Sequence, residues 1–112
     1  MKSLDRYITS APSAQTALDI FAGSWVSQLP APLAELQAGP VPLFEDAQIG
    51  WAAEQLGDFR DRTVLELGSL EGGHMYQIEQ LGAAAILAIE ANTSAFLRSL
   101  IVKELLLRRL KQ

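Results

Sequence analysis

The sequence predicts an α/β fold: the opening strand–helix–strand–helix unit of a doubly wound parallel sheet, preceded by a helical N-terminal extension. Three observations carry this expectation. Two short apolar runs, Thr63–Leu67 and Ala85–Ile89, have strand length and composition, and a glycine-bearing loop and a helical stretch separate them. A long helical pattern over residues 95–110 follows the second run. All five prolines (Pro12, Pro30, Pro32, Pro40 and Pro42) lie in the first half, so an irregular half gives way to a regular one.

Each element has its own local reason. In the extension, residues 1–57, the spacing of Leu18, Phe21, Ala22 and Trp25 predicts a helix over residues 13–28, weakened at Gly23 and ended by Pro30. Residues 30–42 read as an extended connector with one helical turn. Residues 45–56 read as a second helix, with Glu45 and Asp46 in its first turn, Gly57 as its stop, and Ile49, Ala52, Ala53 and Leu56 on its buried face. The second unit, residues 58–112, opens with a polar turn at 58–62. β-branched Thr63 and Val64 then begin the first strand. Residues 68–73 form a loop, and residues 74–81 a helix stopped by Gly82. Ala85–Ile89 is almost uninterruptedly apolar, as strands covered on both faces are. Thr93 or Ser94 is expected to cap the last helix, with Arg108, Arg109 and Lys111 complementing the dipole at its end.

Composition narrows the function classes. The 112 residues carry 9 Lys and Arg against 13 Asp and Glu, a formal net charge of -4. That balance gives no general attraction to nucleic acid or to an anionic membrane. With no cysteine, disulfides, thiolate metal sites and cysteine nucleophiles are excluded. A lone histidine, His74, cannot build a zinc site by itself, so no metal is expected. The longest apolar run, residues 83–89, is too short to span a bilayer, and Asp5 and Arg6 interrupt any secretory pattern at the start. The expectation is a soluble, cytoplasmic protein without nucleic-acid or membrane partners.

The residues that point to chemistry surround the first loop. Glu66-Leu67-Gly68-Ser69-Leu70-Glu71-Gly72-Gly73 is followed, one helix later, by Ile89-Glu90-Ala91-Asn92. A glycine directly after a strand permits a tight turn and a close approach of ligand to backbone. A helix that starts at Gly73 offers free N–H groups and a positive dipole end to whatever lies above it. Glu90, at the end of the next strand, sits where an acidic residue accepts hydrogen bonds from both hydroxyls of a ribose. This arrangement points to a nucleoside cofactor. The dinucleotide pattern G-x-G-x-x-G would need glycine at position 70, where Leu70 stands. A carboxylate such as Glu66 repels a pyrophosphate but favours a cationic aminoacyl or sulfonium group. Both features lean away from NAD and towards S-adenosylmethionine.

Val64-Leu65-Glu66-Leu67-Gly68 with Gly72-Gly73 resembles motif I of the class I S-adenosylmethionine-dependent methyltransferases, and Ile89-Glu90 resembles their motif II. The segments PLFEDAQIGWA, VLELGSLEGGHMYQIEQLGA and AIEANTSAFLRSLIVKELL are similar to one bacterial branch of that family. The resemblance implies a Rossmann-like fold, with Glu66, Gly68, Gly72 and Gly73 at the methionine end of the cofactor and Glu90 on its ribose. Ser69 and Asn92 complete the candidate cofactor-binding set, Asn92 either as a contact or as the turn before the last helix. The family sheet has seven strands, so the resemblance also implies an N-terminal cofactor-binding portion, with methyl acceptor and catalytic residues unassigned. The alternatives are a truncated, catalytically inactive fragment acting by association, through exposed sheet edges for example, and an NAD-type Rossmann module. Of the remaining residues, Glu71 reads as a solvated loop side chain and His74 as a surface one. Trp25, Phe44 and Trp51 read as packing residues.

Overall fold

The computed structural model of the protein describes residues 7–110; Asp5, Arg6 and Lys111, named above, lie outside the described residues. Its elements are helix α1 (Ala14–Asp19), 3-10 turns at Ala31–Leu33 and Leu43–Glu45, and helix α2 (Ala47–Leu56). Strand β1 (Thr63–Leu67), helix α3 (Gly73–Gln80), strand β2 (Ala85–Ile89) and helix α4 (Thr93–Leu110) follow. The protein is thus mixed α/β, with both strands where the apolar runs place them.

β1 and β2 pair in parallel, in register from Thr63 opposite Ala85 to Leu67 opposite Ile89. Gly68 continues the ladder by one bond, donating its N–H to the Ile89 carbonyl at 2.8 Å. Register therefore brings the loop after β1 and the residues after β2 to one end of the sheet. Period-two alternation sends Val64, Glu66, Ile86 and Ala88 to one face and Leu65, Leu67, Leu87 and Ile89 to the other. Under the first face, Val64 and Ile86 pack on Ala53 of α2, Phe59 and Ile78 of α3. Among the described residues the second face is bare: Leu67 is 74% exposed and Leu87 63%. The expectation that β2 is covered on both faces is therefore corrected. Among the described residues helices cover one side only, and α4 packs on α1 and on the Ala31–Leu33 turn.

The larger core joins the two halves of the chain. Leu18, Trp25, Leu29, Leu33 and Phe44 from the first half enclose Val102 and Leu105 of α4. Arg109 reinforces this seam by pairing with Glu35 and donating to the Pro32 carbonyl at 3.1 Å. On α4, Ala95, Arg98, Val102 and Leu105 form the buried stripe, while Phe96, Leu97, Leu100 and Leu107 are exposed.

The extension is less helical than its spacing suggests. Ser13 caps α1 by accepting from the Thr16 N–H at 3.2 Å, but the helix ends at Asp19 instead of continuing to residue 28. The chain turns through Gly23, which has φ of 85°, and Trp25 folds back so that its indole N–H donates to the Leu18 carbonyl at 2.8 Å. The apolar residues at 18, 21 and 25 meet in the core through that turn. Beyond it the chain is extended: Ser27 bridges Val41, and Gln28 N–H donates to the Val41 carbonyl at 2.8 Å.

α2 begins two residues later than expected, since Asp46 is its N-cap and Leu43–Glu45 forms a separate 3-10 turn. Gly57 ends it in the left-handed conformation. Leu56, expected on the buried face, is 50% exposed, and Trp51, read as a packing residue, is 63% exposed, because α2 presents a narrower stripe than its composition allows. Among the described residues, no helix is long and apolar enough to cross a membrane.

Candidate functional site

Glu90 organises the end of the sheet. Its carboxylate accepts the Leu70 N–H through one oxygen, at 2.7 Å, and the Asn92 N–H through the other, at 2.9 Å. Those N–H donors, Asn92 first and Leu70 second, hold the Glu90 carboxyl below its usual range. The loop after β1 is thereby fastened to the chain leaving β2. Leu70 reaches this bond from a left-handed backbone, φ 52°, a conformation that favours glycine. Its neighbour Gly68 also has positive φ, 78°, and faces open space where a side chain would project.

The other glycines of the motif do different work. Gly72 is the N-cap of α3 with φ of 92°, and Gly73 lies under the Leu43–Glu45 turn. A β-carbon on Gly73 would stand 2.5 Å from the Leu43 carbonyl oxygen, so only glycine lets the two backbones touch. Both glycines are buried, as is Ser69, whose carbonyl accepts the Gly72 N–H at 2.9 Å. The structure thus brings Gly68, Leu70, Glu90 and Asn92 together at the open end of the sheet and folds Gly72 and Gly73 inward.

Glu66 points to the covered face and is half-buried; one of its carboxylate oxygens is fully enclosed and has no hydrogen-bond partner among the described residues. Burial pushes its carboxyl up, with His74 acting weakly against that. His74 is half-buried and not a simple surface residue: its Nε2 lies 2.8 Å from Asp46 Oδ2. The Asp46 carboxyl is held down first by the Gln48 N–H and then by His74. Gln77 clamps the same turn, accepting from the Asp46 N–H and donating to its carbonyl.

Asn92 is the cap of α4, its Oδ1 accepting the Ala95 N–H at 2.9 Å, in place of the expected Thr93 or Ser94. Its side chain is committed to the helix while its N–H serves Glu90.

Glu71 is the largest departure from expectation. It is only 1% exposed, although it reads as a solvated loop residue. Its carboxylate accepts the Ser27 N–H at 2.7 Å, the Val26 N–H at 3.2 Å and the Arg98 Nε at 2.6 Å. Arg98 in turn donates to Ser94 Oγ at 2.7 Å and sits 5.9 Å from the Trp25 ring centroid. Sequence reasoning missed this pair. The available signal was Arg98 itself, a charged residue between Ala95 and Val102 on the stripe that α4 buries.

Among the described residues, no three histidine or carboxylate side chains cluster as metal ligands. Comparison of the chain with models of known protein families, with curated proteins and with solved structures finds no match.

Proposed function

We infer that the chain carries the S-adenosylmethionine-binding portion of a class I methyltransferase, its strand–helix–strand–helix unit being the opening of a Rossmann-like doubly wound sheet. The observation that carries this reading is the fixed carboxylate of Glu90 beside the open Gly68. The Leu70 and Asn92 N–H groups hold one Glu90 oxygen each, so the carboxylate is oriented in advance for a vicinal diol. Gly68 leaves room for the ligand to approach the backbone.

Two further features favour this cofactor over a dinucleotide. A leucine side chain at position 70 stands where the dinucleotide pattern needs bare backbone against a pyrophosphate. A carboxylate two residues before Gly68, that of Glu66, is a natural counterpart for a cationic group and a poor neighbour for phosphate. When bound, S-adenosylmethionine supplies an electrophilic methyl group to an oxygen, nitrogen or carbon acceptor. A cytoplasmic location belongs to the same reading.

Titration of the labelled chain with S-adenosylhomocysteine, followed by NMR, tests it and detects millimolar as well as tight binding. The amides of Gly68, Leu70 and Asn92 should shift, and Glu90→Ala should weaken binding by about ten- to a hundredfold. Tighter binding of NAD, or an affinity indifferent to Glu90→Ala, would overturn the assignment.

A second reading, a protein that acts by association, draws on the bare sheet face formed by Leu65, Leu67, Leu87 and Ile89.

A further inference from the structure

We propose that Glu71 is a positioning residue that sets the shape of the β1–α3 loop by fastening it to the N-terminal extension. The inference rests on the cofactor reading for its consequence but not for its geometry. Two consecutive loop residues are anchored to different parts of the molecule. Leu70 gives its N–H to Glu90 at the end of β2, and Glu71 buries its carboxylate against Val26, Ser27 and Arg98. The first anchor fixes the loop relative to the sheet. The second fixes it to an extended segment 44 residues earlier in the chain and to the second turn of α4.

A carboxylate this deeply buried is tolerated only with its lone pairs filled, and here the backbone donors and the guanidinium fill them. Leu70 holds a left-handed backbone that a leucine does not choose, so something outside the loop must impose it. The tethers on both sides of the Leu70–Glu71 peptide supply that constraint. It follows that residues 25–27 belong to the candidate site although none of them faces it. Trp25 completes the arrangement by covering the Arg98 guanidinium, while its own N–H is held by Leu18 of α1.

Amide exchange on the full chain tests the role, with Glu71→Gln as the first variant. Glutamine keeps the shape but offers a single acceptor oxygen and no charge for Arg98. Protection of the Leu70 and Gly72 amides should fall about tenfold or more. The Ala84 amide, which donates to the Arg62 carbonyl at 2.8 Å beside the strands, should be unchanged. If the single variant does not fold, the double variant E71Q/R98M removes the stranded charge and carries the same expectation. Loop protection equal to the parent's overturns the proposal. So does equal loss at Leu70, Gly72 and Ala84, which would make the pair a general brace. S-adenosylhomocysteine titrations on the same samples should show affinity falling with loop protection, and a loss of loop protection without a loss of affinity overturns the link to the site. A parent chain that binds no S-adenosylhomocysteine while its loop still loosens in the variant removes the cofactor reading and leaves the positioning role standing.

Discussion

His74 Nε2 lies 2.8 Å from Asp46 Oδ2, so the first turn of α3 is joined to the N-cap of α2 by a side-chain bond. The same Asp46 accepts the Gln48 N–H through Oδ1 and is gripped through its backbone by Gln77. α3 is therefore held at two successive turns against the segment that covers Gly73. These bonds fix where α3 begins, directly after the loop that the Leu70 and Glu71 tethers hold.

Replacing Gly73 by alanine should destabilise the protein by about 1–3 kcal/mol, since the added carbon meets backbone atoms of Leu43 and Phe44, which cannot swing aside as a side chain would. Gly68→Ala meets no atom but must hold φ of 78°, at a cost of about 1–2 kcal/mol. Urea unfolding distinguishes the two by pairing each with a valine variant. At position 73 the larger side chain should cost clearly more than alanine. At position 68 most of the cost should already be present in alanine.

Glu90 should contribute to acid sensitivity. Its carboxyl titrates lower in the folded chain than the ordinary glutamate value of about 4.5, so its stabilisation is present above that value and is lost as pH falls through the folded one. Glu90→Gln cannot ionise. Thermal melts of parent and variant should differ most near neutral pH and converge in acid, and a constant gap across the range would contradict the assignment.

Glu66 should behave with the opposite sign. Burial raises its carboxyl, so the folded state carries no penalty below about 4.5 and loses stability as pH rises through the folded value. Glu66→Gln should therefore raise the melting temperature at neutral pH and leave it unchanged in acid. The same substitution should weaken any cationic ligand, so stability and binding should move in opposite directions.

The bare sheet face should drive self-association. Leu65, Leu67, Leu87 and Ile89 are each at least half exposed on adjacent strands, and among the described residues each strand also leaves one edge unpaired. Light scattering across a concentration series should show mass above 12.2 kDa for the parent. The double variant L67K/L87K, which places two like charges on that face, should remain at the monomer mass. A parent that stays monomeric throughout would show that the face does not associate.

What the sequence determined by itself is local. β-branched and apolar runs of five residues placed both strands at their observed bounds, and glycine stops placed the ends of α2 and α3 within a residue or two. The meeting of Gly68 with Glu90 was also legible, because a parallel pair joined by one helix brings the ends of its strands together. Tertiary structure decided the rest. The spacing of Leu18, Phe21 and Trp25 suits a continuous helix, but the core is reached by a turn at Gly23 that lets Trp25 bond back to Leu18. Glu71 looks solvated in its loop because its partners stand far away in the chain, and only folding brings Val26, Ser27 and Arg98 around it. Backbone conformation follows from near neighbours and their periodicity. The burial of a charge depends on which distant donors surround it, and no local pattern encodes that.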